Sequence, residues 1–262
     1  MIEINKNYNE NNLETLSKIP NNSIDLVITS PPYNMNLRIR KGKYCSRQIT
    51  KEFSTKYEGF DDNLPIDDFY NLHSSIIKEL LRTSSIIFYN IQIVTGSKRA
   101  FFKIIGEYNE YLKDIFIWDK RHGQPAMAKN VVNRRTELLL IFDSKNAISR
   151  QFDKCNFERG TLDDIWEIKR GKKVDKSHSA VFPEELTDKI ITLFSNEGDL
   201  IYDPFMGTGT TAISSIKNNR NFIGSEISSK YCNIIEERIK KAWEEKRKEK
   251  DLTQNTLFGD GM

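Results

Sequence analysis

Thr29-Ser30-Pro31-Pro32-Tyr33-Asn34 places a hydroxyl, two prolines and a phenol in succession. Just before it, Ser23 to Ile28 is an apolar run that reads as a strand. Proline lacks an N–H and fixes φ, so two in a row cannot continue a central strand. The chain therefore stops a buried strand with a stiff, polar, aromatic tip, as a site requiring rigid placement would need.

A second stretch, Ile201-Tyr202-Asp203-Pro204-Phe205-Met206-Gly207-Thr208-Gly209-Thr210-Thr211, reads as strand, tight loop and helix. Gly207 and Gly209 allow positive φ and close approach of a ligand to the backbone. Glu226 ends the next strand, 17 residues beyond Gly209. An acid there is how Rossmann-like sheets grip ribose hydroxyls. The loop lacks the GK[ST] of a phosphate-binding loop and the third glycine of GxGxxG. Asp203 at its mouth would repel a pyrophosphate and attract an ammonium group. A sulfonium amino acid joined to adenosine fits both acids; the plainer reading is two glycines turning a corner.

The elements that position these stretches follow from periodicity. Strands are expected at Ile2–Ile4, Ser23–Ile28, Ser84–Ile91, Lys113–Trp118, Thr136–Phe142, Ile165–Ile168, Asp199–Tyr202 and Asn221–Gly224. Helices are expected at Asn12–Ile19, Pro65–Arg82, Thr95–Tyr108, Pro183–Phe194, Thr211–Lys217 and Ser229 to about Lys250, with Leu252–Met262 frayed. Strands alternating with helices argue for an α/β fold, a mostly parallel sheet with helices on both faces. Ligands in such sheets sit at the carboxyl ends of strands, where both special stretches fall. The whole chain, 1–262, reads as a single domain. Residues 34–64 read as a long loop, mobile near the site, and 119–178 as irregular basic segments around a core strand.

Net charge is only +3, but its distribution is uneven. Arg38, Arg40, Lys41, Lys43, Arg47 and Lys51 form one cluster with no acid among them. Lys120, Arg121, Lys129, Arg134 and Arg135 form a second, and Lys169, Arg170, Lys172, Lys173 and Lys176 a third. Each alone could be a solvated loop; three together fit a surface that tracks phosphates. Cys45, Cys155 and Cys232 lie far apart, and the chain has three histidines. That spacing argues against a disulfide framework and a metal site. No run approaches the roughly 20 apolar residues of a membrane span, and the N-terminus has no signal-peptide pattern. The expectation is a soluble cytoplasmic protein with no membrane partner.

TSPPYN at Thr29–Asn34 together with DPFMGTGTT at Asp203–Thr211 resembles the DNA amino-methyltransferases, which use S-adenosylmethionine to modify exocyclic amines of adenine or cytosine. The tip comes first and the glycine loop last, which resembles the circularly permuted β group of that family. Ser177–Ile191 resembles the family's element before the cofactor loop, keeping His178 and Pro183; Asn11–Glu14 resembles a segment near the cofactor adenine, with Asn11 in place of an acid; Leu162–Lys169 resembles a third.

The resemblance implies a Rossmann-like, permuted fold and S-adenosylmethionine as cofactor, held by Asn11, His178, Asp203, Phe205, Gly207, Gly209, Thr210 and Glu226. It implies a catalytic tip of Ser30, Pro31, Pro32 and Tyr33, with Ser30 Oγ and the Pro31 carbonyl accepting from the amine and Tyr33 stacking on the base. Arg38, Arg40, Lys41, Lys43, Arg121, Arg134 and Arg135 are the expected contacts to double-stranded DNA, and 119–178 the expected target-recognition region. A cognate restriction endonuclease is the implied functional, not physical, partner, and a homodimer stays open. Ser30 tilts the target to N4 of cytosine. N6 of adenine is the alternative, and an RNA or protein-amide methyltransferase the second alternative.

Overall fold

Continuous apolar runs bounded by polar tips produce strands buried on both faces, and this chain has several. The computed structural model describes residues 2–35, 37–40, 43–46, 62–124, 129–171 and 182–259. Along them run β1 (Lys6–Tyr8), α1 (Asn12–Lys18), β2 (Ile24–Thr29), β3 (Leu37–Arg40), β4 (Lys43–Ser46), α2 (Ile66–Thr83), β5 (Ser84–Ile91) and α3 (Lys98–Glu107). Then come β6 (Leu112–Gln124), β7 (Arg134–Asp143), β8 (Ile165–Glu167), α4 (Glu184–Phe194), β9 (Leu200–Asp203), α5 (Thr210–Lys217), β10 (Asn221–Ser225) and α6 (Ser229–Gly259).

Eight strands form one sheet in the order β1-β10-β9-β2-β5-β7-β6-β8. Neighbours pair in parallel except across β7, which is antiparallel to both β5 and β6. The expected α/β architecture is what forms. β2 lies centrally between β5 and β9, so the two motif-bearing strands, β2 and β9, are neighbours: Leu26 pairs with Ile201 and Val27 with Tyr202. Alternation along β2 sends Val27 to a core shared with α1, α2 and α3 (Leu16, Ile76, Leu80, Phe101). Leu26 and Ile28 face the other side, against Leu186, Ile190 and Phe194 of α4. Both faces are therefore covered. A smaller apolar cluster joins α5 and α6 through Ile213, Ile216 and Ile235.

Four expectations change. The first strand is Lys6–Tyr8, not Ile2–Ile4: pairing with β10 decides the register, Asn5 N donating to Phe222 O at 2.6 Å, and Asn5 takes φ +60° just before the strand. Residues 37–40 and 43–46, read as loop, pair as the antiparallel strands β3 and β4. The basic stretch after Trp118 is not irregular throughout, because β6 runs on to Gln124 and β7 begins at Arg134. Helix α6 continues to Gly259, past the point where fraying was expected. Most of 34–64 and the segment 172–181 lie outside the described residues.

Candidate active site

The tip leaves β2 at Thr29 and turns at once. Pro31 and Asn34 are buried, and Ser30 and Pro32 partly so. Asn34 takes φ +57°, a region asparagine tolerates. Its Nδ2 donates to the carbonyls of Leu64, at 2.8 Å, and Gly96, at 3.0 Å. A Cβ on Gly96 would lie 2.1 Å from Asn34 O, so only glycine allows this approach. The far side of the tip is thereby pinned to the loop between β5 and α3.

Beneath the tip lies a polar network. Tyr33 is 6% exposed, and its hydroxyl donates to Glu137 Oε2 at 2.9 Å. Ser30 Oγ is 2.7 Å from the same hydroxyl. Asn90 Nδ2 lies 2.6 Å from Tyr33 Oη, 2.7 Å from Glu137 Oε2 and 3.3 Å from Ser30 Oγ. Glu137 Oε1 accepts from Lys120 Nζ at 2.8 Å, and both side chains of that ion pair are almost wholly buried. Asn90 is the penultimate residue of β5, while Glu137 stands near the start of β7, which reversal brings to the same edge of the sheet. Asn90 Oδ1 is buried without a hydrogen-bond partner among the described residues.

The glycine loop joins β9 to α5. Gly207 and Gly209 have φ of +57° and +86°. Asp203 is buried; its Oδ1 accepts from Thr29 Oγ1 and Phe205 N, each at 2.9 Å, and its Oδ2 from Thr211 Oγ1 at 2.7 Å. Burial pushes the Asp203 carboxyl up to about 6 despite these donors. Glu226, just after β10, accepts from Gly207 N and Ser228 N, both at 2.9 Å. Burial, with the nearby Asp203 charge, pushes it up to about 7. Two largely buried acids thus stand at the ends of adjacent parallel strands.

The other expected cofactor residues divide. Thr210 is buried as the first residue of α5. Phe205 packs parallel to the ring of His73, with centroids 6.5 Å apart. His73 is buried; desolvation lowers it to about 3, and Nδ1 lies 2.5 Å from Tyr89 Oη. Asn11 is exposed and caps α1, its Oδ1 accepting from Leu13 N at 2.9 Å. Its neighbour Asn12 reaches the loop instead, Nδ2 donating to Pro204 O at 3.2 Å. His178 lies outside the described residues.

Of the expected DNA contacts, Arg38 and Arg40 lie on β3 and Lys43 on β4, while Lys41 is outside the described residues. Arg121, Arg134 and Arg135 are exposed on the β6–β7 pair. Arg135 holds Asp119 with two hydrogen bonds, which keeps that carboxyl below its ordinary range. Arg121 Nε lies 3.7 Å from Glu167. Lys120 leaves the second cluster altogether: it is 3% exposed and neutralises Glu137 rather than facing outward. Among the described residues no group of three or more His, Cys, Asp or Glu is placed to hold a metal ion. No helix among them is long and apolar enough to cross a membrane.

Sequence reading missed Asn90, Lys120 and Glu137. The available signal was a polar residue beside an apolar run, Asn90 in SSIIFYNI and Glu137 in TELLLIF.

Residues 24–237 match the DNA methylase family N6_N4_Mtase. Over 259 residues the chain is 31% identical to the orphan methyltransferase M.BamHII of Bacillus amyloliquefaciens, covering 83% of this chain and 89% of that protein. The PvuII DNA methyltransferase (cytosine-N4-specific) has a similar fold, with a TM-score of 0.68 at 18% identity over 91% of this chain and 90% of that one. TTHA0409 of Thermus thermophilus, complexed with S-adenosyl-L-methionine, gives a TM-score of 0.62 at 20% identity over 90% and 95%. With the match spanning both motif-bearing strands and the sheet between them, this chain belongs to the N6/N4 DNA methylase family, the DNA amino-methyltransferases.

Proposed function

We propose that this chain transfers a methyl group from S-adenosylmethionine to the exocyclic amine of a base flipped out of duplex DNA, with N4 of cytosine favoured over N6 of adenine. The observation that carries this reading is the junction of the two motifs: Thr29, next to Ser30, is hydrogen-bonded to Asp203 at the mouth of the glycine loop. Amine site and donor site therefore share one rigid wall.

S-adenosylmethionine supplies an electrophilic methyl on a sulfonium. Glu226 is placed to accept from ribose hydroxyls, the loop at Phe205–Gly209 to receive the methionine end, and Thr210 to close it. Asp203 acts from beneath, its charge balancing a cation while its oxygens fix Thr29 and the loop. An exocyclic amine is a poor nucleophile because its lone pair is delocalised into the ring. Ser30 Oγ and the Pro31 carbonyl accept its N–H groups, and the two prolines hold those acceptors in place before the reaction, so little reorganisation is needed. Flipping costs about a few kcal/mol, of which stacking on the Tyr33 ring returns roughly 1–3 kcal/mol.

The serine of the tip supports cytosine. The segment 119–178, with Arg121, Arg134 and Arg135 exposed, is the reading surface, and strands β3 and β4, with Arg38, Arg40 and Lys43, the second contact to the backbone. A restriction endonuclease of the same specificity is the functional partner, and the cytoplasm the place of action.

Mass spectrometry of nucleosides from DNA treated with protein and donor tests this reading. N4-methylcytosine is the expected product. N6-methyladenine alone would move the assignment to adenine. Transfer to RNA or protein but not to DNA would overturn it.

A further inference from the structure

The tip carries a serine, and a serine hydroxyl can present either its hydrogen or its lone pairs to a ligand. Only the second choice serves an amine. The direction is decided elsewhere, by Glu137. Its carboxylate can only accept, and Oε2 takes the single hydrogen of Tyr33 Oη at 2.9 Å. Tyr33 then has none left for Ser30, 2.7 Å away, so Ser30 must be the donor in that pair. The Ser30 hydrogen points down into the protein, and its lone pairs point away from Tyr33. Asn90 reinforces the order, since Nδ2 can only donate and sits among the same three oxygens.

The Lys120–Glu137 pair has no evident structural need. A buried ion pair contributes little to stability compared with apolar residues of similar size, and its neighbours on β7, Leu138 to Phe142, are all apolar. It stands at the edge of the sheet where ligands bind and connects to the tip through Tyr33 and, at the longer distance of 3.3 Å to Ser30, through Asn90. We propose that Glu137 is a positioning residue for methyl transfer: through Tyr33 it fixes Ser30 as an obligate hydrogen-bond acceptor for the substrate amine, with Lys120 holding Glu137 in place from its other oxygen.

The inference rests on the amino-methyltransferase reading, and single-turnover methylation of unmethylated phage DNA with labelled S-adenosylmethionine separates the two. If the unsubstituted protein methylates no DNA, the reading of function fails. If it does, three variants decide the present point. Tyr33→Phe keeps the ion pair and the ring but cuts the link. Glu137→Gln combined with Lys120→Met removes both charges together, leaving neither buried alone. The third variant combines all three changes.

Each of the first two should lower the rate at saturating donor and DNA by about 10²-fold. The KM for donor and the Kd for DNA should stay within about twofold. The combined variant should be no slower than either, because the link is already cut. An unchanged rate for Tyr33→Phe, a loss confined to KM, or losses that multiply in the combined variant would overturn the proposal. If the double variant is unfolded, the Tyr33→Phe rate and its KM split decide alone.

Discussion

Thr29 donates to Asp203 at 2.9 Å across the seam between β2 and β9, joining residues 174 positions apart. The same carboxylate accepts from Thr211 and from the Phe205 backbone. One buried acid thus fixes the root of the tip, the glycine loop and the start of α5 together.

Asp203→Ala should therefore fail in two ways. It strands two buried hydroxyls and one backbone N–H, which should cost about 2–4 kcal/mol of stability. Donor binding should also be lost. Denaturant unfolding and calorimetry measure the two effects separately, and a stable variant with intact donor affinity would contradict the assigned role.

Asp203 and Glu226 also make a pH prediction. Their folded values, about 6 and about 7, stand above the ordinary 3.8 and 4.5. The ligand-free fold therefore holds these protons more tightly than the unfolded chain does. Their contribution to stability is whole below the ordinary values and is lost as pH rises to about 7. A cationic donor favours the charged forms, so its affinity should change the opposite way, rising between about pH 5 and pH 8 with release of protons. Calorimetry in buffers of different ionisation enthalpy should show that release, reduced in Glu226→Gln. Affinity that is flat across the range would contradict it.

Gly209 has φ +86°, and an added Cβ would lie 3.3 Å from Ile235. Gly209→Ala should cost about 1–2 kcal/mol from the backbone conformation alone. Gly224 differs in kind: a Cβ there would come within 2.3 Å of Met206 Cε and 2.7 Å of Asn7 Oδ1. Gly224→Ala should displace Met206 within the glycine loop and weaken donor binding more than it lowers the melting temperature. Thermal melts with and without donor distinguish the two behaviours.

Arg134 and Arg135 are adjacent and both exposed, but their replacement should not be equivalent. Arg134→Ala should reduce the salt slope of DNA binding by about one. Arg135→Ala removes a cation and also uncovers the Asp119 carboxylate that it holds. It should weaken binding more, and Asp119→Asn should restore part of the loss. Fluorescence anisotropy across a salt series reads both effects.

Much of this was legible in residue order. The run Ile24–Thr29 and the polar tip after it are local features, as are the glycine loop and its acid, and each lies where it was expected. Asn90, Lys120 and Glu137 were not legible as a group, because nothing local links them: only the reversal of β7 and its pairing with β5 and β6 brings them under Tyr33. Lys120 even counted toward a basic surface, since a charge in sequence carries no sign of its burial. The extra lengths of β6 and β7 were hidden for a related reason. Polar residues at 119–124 and 134–136 give no alternating pattern, and their strand state comes from pairing with each other.

The sheet order has a consequence for how the protein is made. β1 is near the start of the chain, and its partner in the sheet, β10, begins only at Asn221. β2 likewise waits for β9 to cover one of its edges. While the chain leaves the ribosome, this apolar strand stays open along that edge until β9 has been made, the kind of surface that aggregates or recruits a chaperone. In the finished sheet β9 lies between β2 and β10. A nascent chain thus lacks the Thr29–Asp203 hydrogen bond that joins the tip to the glycine loop until β9 has been made.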